Sequence, residues 1–134
     1  MNTFTNVKDQ HVTYETAKAL KDKGFNEPVD RIIWVSGDNK DTDTVAILEK
    51  MRNSDLDRDD IFSCPTHQMV LSWLRETYHL FIEVSLGMSL GGVYSFDYSV
   101  LDSNCKYIRK AFTGTTYEDA TEKAIQDCLA NFCE

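Results

Sequence analysis

No Cys-x-x-Cys pair, no glycine-rich phosphate loop and no apolar run of membrane length occurs in this chain, and its acids outnumber its bases by 22 to 14. Each lack excludes something. The four cysteines, Cys64, Cys105, Cys128 and Cys133, show no zinc-like spacing, so they read as reduced thiols of a cytoplasmic protein. The short apolar runs predict no membrane association. The opening residues, MNTFTNVKDQ, lack the basic-then-apolar pattern of a secretory leader. A formal net charge of −8 repels phosphate backbones and argues against nucleic acid as a partner. His11, His67 and His79 are scattered and make no ligand set; catalytic carboxylate pairs and nucleophile elbows are missing too. No metal, no cofactor and no enzymatic activity are therefore expected. Nothing in the sequence sets an oligomeric state.

What the chain does have is ordinary globular composition. At 134 residues, with 42% hydrophobic and 27% charged, it is long enough for one domain with a buried core and no staples. The strongest pattern is PTHQMVLSWLRETYHLFIEVSL, residues 65–86. Met69, Val70, Trp73, Leu74 and Tyr78 recur at helical spacing, with Pro65 suited to a first helical position. The period then becomes two: Leu80, Ile82, Val84 and Leu86 point one way, and Phe81, Glu83 and Ser85 the other.

Around this stretch the chain divides readily. Residues 1–12 read as a loose lead-in. Thr13 caps a short helix stopped at Gly24, with Phe25 as an apolar contact after the stop. Arg31 to Ser36 is β-branched and aromatic, a strand. Thr44 to Met51 could be a helix through Val45, Leu48 and Met51 or a second strand, and the spacing leans to helix. Ile61 and Phe62 re-enter the core. Strands follow at about 93–101 and 105–112. Thr115 with Glu118 fits a capping box for a last helix at 116–132, buried through Tyr117, Ala120, Ala124, Cys128 and Phe132. The expectation is a single α+β domain over residues 1–134. Its core, 65–132, is α-β-β-β-α, a three-stranded antiparallel sheet with helices on one face. An N-terminal helix and one or two extra strands would extend that sheet or cap its edge. Trp73, Leu74, Ile82, Val84, Phe96, Tyr98, Ala120, Ala124 and Cys128 should be core.

The helix–three strands–helix order over about residues 65–132 resembles the double-stranded RNA-binding domain. YEDATEKAIQDCLANF is similar to that family's second helix at Ala120, Ala124 and Leu129. The resemblance implies both helices on one face of the sheet. That family grips phosphates with lysines at the start of this helix, where this chain has Tyr117-Glu118-Asp119-Ala120-Thr121. Its hairpin loop carries a Pro-x-His, where this chain has GMSLGG. The fold is expected without the RNA function. A nucleic-acid-binding module, using a basic strip of Arg31, Lys106, Arg109 and Lys110, stands as the alternative. Secondly, YETAKALKDKGFNEPV, SCPTHQMVLSWLRETYHLFIEV and TYEDATEKAIQDCL resemble small proteins from bacteriophages and mobile elements of gut bacteria. That resemblance implies a phage or prophage setting and transfers no catalytic residues.

Candidate sites are few. Asp55-Leu56-Asp57-Arg58-Asp59-Asp60 opens like a calcium loop, but Asp60 and Thr66 stand where an EF-hand needs Gly and Glu, so it reads as a solvated acidic loop. Cys64 and His67 could pair as nucleophile and base, yet no third group is evident to orient the histidine; a helix start is the simpler reading. Residues 36–62 hold eight acids against four bases, and the last 18 residues five against one. Two surfaces are left for binding: the acids Asp55, Asp57, Asp59 and Asp60, and the apolar hairpin tip of Met88 and Leu90. A basic host protein is the partner they would suit.

Overall fold

At residues 65–86, where the apolar period changes, a helix meets a strand. The structure is a computed structural model and describes residues 10–36, 41–87, 91, 95–114 and 116–133. Helix α2 spans His67–Tyr78, and strand β4 spans Phe81–Leu86. The cap of α2 is Thr66, whose hydroxyl accepts from Met69 N at 3.2 Å. Pro65 thus lies one residue before the cap and not at the first helical position. His79 ends the helix in the left-handed region (φ 56°) and turns the chain into β4.

Helix α1, Tyr14–Asp22, stops as expected. Gly24 takes φ 90°, its N–H donates to Lys21 O, and Phe25 N–H donates to Leu20 O at 2.9 Å. That is a Schellman end, and it leaves Phe25 buried against Trp73, ring centroids 5.3 Å apart.

The six described strands form two separate three-stranded antiparallel sheets. In the first, β1 (Val29–Ser36) lies between β2 (Asp41–Met51) and β3 (Ile61–Ser63). The second runs in the order β4, β5 (Phe96–Leu101), β6 (Tyr107–Gly114). The expected α-β-β-β-α core is present. The extra strands number three, however, and build their own sheet instead of extending the central one.

Residues 44–51, read as leaning to helix, are strand. Backbone pairing with β1 decides it, from Ser36↔Asp41 through Arg31↔Ala46. The register then jumps to Val29↔Met51, so β2 carries a bulge of several residues in which Leu48 is fully exposed. Leu48 belongs to no apolar stripe; its spacing with Val45 and Met51 imitates one.

Helix α3, Tyr117–Asn131, packs across β4, β5 and β6 and also meets α1 and α2, while α1 meets β3. One continuous core joins Ile33, Phe62, Val70, Leu74, Tyr98, Val100, Ala124 and Ile125. Of the expected core, Trp73, Leu74, Tyr98, Ala120, Ala124 and Cys128 are buried, whereas Ile82, Val84 and Phe96 are half-buried. Leu86 and Tyr117 are exposed, at 59% and 47%. The cap of α3 is Thr116, accepting from Asp119 N at 3.0 Å, one residue beyond the expected Thr115. Residues 10–12 are no loose lead-in: Val12 is buried, its N–H donates to Pro65 O, and His67 N–H donates to Gln10 O at 2.8 Å. Residues 93–94, expected in β5, lie outside the described residues. No described helix is long and apolar enough to cross a membrane.

Candidate functional site

The acidic loop closes a single 3₁₀ turn, Asn53–Asp55. Asn53 is buried and ties the turn inward, donating to Phe25 O at 2.8 Å and accepting from Ser63 N at 2.9 Å. Asp55 accepts from Arg52 N at 2.9 Å, and Asp60 forms a two-pronged pair with the Arg58 guanidinium, at 2.8 and 3.0 Å. Lys21 of α1 reaches across to the carbonyls of Leu56, Arg58 and Ile61 at 3.0–3.2 Å. Two of the four carboxylates therefore hold the loop's own shape. Asp57 and Asp59 remain exposed with no hydrogen bond or ion pair among the described residues. Met88 and Leu90, the other candidate surface, lie outside the described residues.

Sequence reasoning missed the polar cluster in the interior. His67 Nε2 stands 2.7 Å from Glu122 Oε1, and both side chains are almost wholly buried. The second oxygen of Glu122 accepts from Thr13 N at 3.2 Å, from Thr13 Oγ1 at 3.0 Å and from Thr16 Oγ1. Gln126 Nε2 extends the network to Thr16 Oγ1 at 3.1 Å. Burial alone would raise the Glu122 carboxyl. The hydrogen bonds from His67, Thr16 and Thr13 outweigh it and hold the group below its ordinary value. One carboxylate thus joins the starts of α1 and α2 to the middle of α3, and Thr13 caps α1 while spending its hydroxyl on Glu122.

The sequence offers no third group to orient His67; the structure supplies Glu122. The thiol that would complete the arrangement points elsewhere. Cys64 Sγ donates to Val12 O at 3.6 Å, and burial pushes the thiol up to about 12 against the opposing pull of Arg31, with Glu122 adding to the rise. A thiol so held stays protonated at neutral pH. Cys128 and Cys133 are likewise buried and raised to about 12 and about 11; all four cysteines are free.

A second carboxylate of α3 also turns inward. Asp127 Oδ2 accepts from Tyr98 Oη at 2.7 Å and meets Arg109 Nε at 3.0 Å, with Asn131 on Oδ1. Arg109 lies 5.4 Å over Phe132 on the helix side of the sheet. Lys110, its neighbour, lies over Tyr107 on the opposite face at 4.3 Å. Arg31 sits in the other sheet. The basic strip expected from the sequence does not assemble. Among the described residues no three His, Cys, Asp or Glu side chains converge as metal ligands would.

Two of the surface concavities formed by the described residues bear on binding. One, about 380 Å³, is the open face of β4–β6 around Glu83, Ser99 and Lys110. The other, about 420 Å³, runs between α2 and the Glu27–Pro28 segment, with Met69, Ser72, Trp73, Glu76 and Thr77 along the helix side. It adjoins the acidic loop, since Asn26 O accepts from Arg52 at 2.7 Å and Asn26 Oδ1 accepts from Ser54 N at 2.8 Å. No family model, curated protein or solved structure matches this chain.

Proposed function

We propose that this chain is a non-enzymatic accessory protein of phage or mobile-element type that works in the cytoplasm by binding a basic host protein. The observation that carries the reading is the placement of charge. Of the four acids of α3, Glu122 and Asp127 are spent internally, and Glu118 and Asp119 are exposed at its start. Glu27, Asp55, Asp57 and Asp59 are exposed along one hydrogen-bonded stretch of surface. Arg52 and Arg58 are exposed in the same stretch, Arg58 paired with Asp60, so a local excess of acid remains there, and such an excess can steer a basic partner. The residue types closest to a nucleophilic constellation, Cys64, His67 and Glu122, are occupied in holding the fold, which supports a binding role over a catalytic one.

The test is a pull-down from a lysate of the host bacterium. Asp57→Asn combined with Asp59→Asn removes exposed charge and leaves the bonds of Asp55 and Asp60 intact. The wild-type chain should retain a basic protein that salt elutes, and the double variant should lose it. Equal capture by both would sink the reading.

A nucleic-acid module is the second reading, favoured by the α2-β4-β5-β6-α3 order alone. Against it, the start of α3 exposes Glu118 and Asp119, and Arg109 is paired with Asp127. A gel-shift with duplex RNA at low salt discriminates, with no shift expected.

A further inference from the structure

We propose that the groove between α2 and the Glu27–Pro28 segment is the docking site for a partner segment in which a cationic side chain sits beside an apolar one. This rests on the protein-binding reading above and names where that contact is made. The helix wall of the groove is one stripe of α2, residues 69, 72, 73, 76 and 77, presented at three- and four-residue spacing. Its floor is apolar, from Pro28, Met69 and Trp73. The volume, about 420 Å³, falls within the range of clefts that hold ligands, ~300–1,000 Å³.

Charge selects the occupant. Glu27 on one wall and Glu76 on the other are both exposed, and no cation lines the groove. Arg75 lies at the margin with its guanidinium on Ser72 Oγ at 3.0 Å, and so offsets part of one carboxylate. Arg52, whose guanidinium makes the tie to Asn26 O, adds a second cation beside Glu27, and Asp55, Asp57 and Asp59 still outnumber it and Arg75 together. An anionic segment is repelled. A wholly apolar one would cover two carboxylates without pairing them, which costs more than the contact gains. A cation beside an apolar residue satisfies both the rim and the floor.

The floor is also set in advance. Trp73 is fixed by edge-to-face contacts with Phe25 at 5.3 Å and Tyr78 at 5.4 Å, and Pro28 has little backbone freedom to lose. Met69 supplies the adaptable wall that a varied apolar side chain needs. Docking therefore orders little of this protein.

Fluorescence anisotropy with the full chain tests the site, using labelled short peptides of alternating Leu and Arg, alternating Ser and Arg, and alternating Leu and Glu. The Leu–Arg peptide should bind, the Ser–Arg peptide more weakly, and the Leu–Glu peptide not at all. Glu27→Gln combined with Glu76→Gln, two exposed positions, should weaken Leu–Arg binding by about tenfold. The Asp57→Asn, Asp59→Asn chain should weaken it less. No binding of the Leu–Arg peptide, equal binding of the Ser–Arg peptide, or unchanged binding by the groove variant overturns the proposal. The wider reading is judged separately by the pull-down. Capture that depends on Asp57 and Asp59 while the groove variant behaves as wild type removes the groove and leaves the basic partner.

Discussion

His67 and Glu122, 55 positions apart in the chain, meet at 2.7 Å in the protein interior. Of the described ion pairs it is the one buried on both sides; Arg58–Asp60 and Arg109–Asp127 are open on at least one. Its energetic meaning is asymmetric. A buried pair contributes little over an apolar replacement, but removing one partner strands the other.

Glu122→Ala should accordingly cost about 3–5 kcal/mol of folding free energy, because it strands the buried His67 ring and the Thr13 N–H and leaves the Thr13 and Thr16 hydroxyls only each other and Gln126. Urea unfolding followed by circular dichroism measures this. A variant within about 1 kcal/mol of wild type would contradict the role given to Glu122.

The same carboxylate sets an acid limit. Its folded-state value lies below the ordinary 4.5, so its contribution is full above that value and is lost as the pH falls through the depressed one. Stability should decline on acidification below about 4.5 in wild type, and part of that decline should vanish in Glu122→Gln. Unfolding midpoints across the acid range decide it; parallel curves for the two proteins would count against the assignment.

Thiol labelling should separate the cysteines. Cys105 is exposed, whereas Cys64, Cys128 and Cys133 are buried, with thiols pushed up to about 12, 12 and 11. Native protein treated with an alkylating reagent at mildly alkaline pH should take one label, and unfolded protein four. Mass spectrometry counts them. Rapid labelling of Cys64 in the native state would reopen the case for a reactive thiol beside His67.

Gly24 offers a test of backbone alone. A methyl group there would meet nothing within 4 Å, yet φ is 90°. Gly24→Ala should lose about 1–2 kcal/mol, all of it conformational. A neutral result in thermal unfolding would mean that α1 ends differently in solution.

Much of the fold was legible because it is written locally. The change of period after Tyr78 marks α2 and β4, and the small and apolar residues of α3 repeat at helical spacing. Residues 44–51 misled because a bulge breaks the strand alternation, and Leu48 then falls by accident where a helix would want it. The second sheet was hidden because local pattern gives strands and not their partners. The interior cluster was hidden for the same reason, with one exception. Glu122 shares its helical stripe with Ile125 and Leu129, both buried. An acid on an apolar stripe is the trace a buried pair leaves in sequence. The groove leaves a fainter one, since Met69, Trp73 and Glu76 read as one amphipathic face and only the return of Glu27–Pro28 gives that face a second wall.

The bonds from Thr13 and Thr16 to Glu122 span 109 and 106 positions, nearly the whole chain. On the ribosome, α1 emerges long before the carboxylate that its first turn is built to hold. Its hydroxyls stay in water until α3 has been synthesised and swung back, and α2 receives its partner at the same moment. All three helices therefore lock late and together. A chain cut short before residue 122 keeps every described strand and loses the lock, so cooperative folding has to wait for the helix made after the last of those strands.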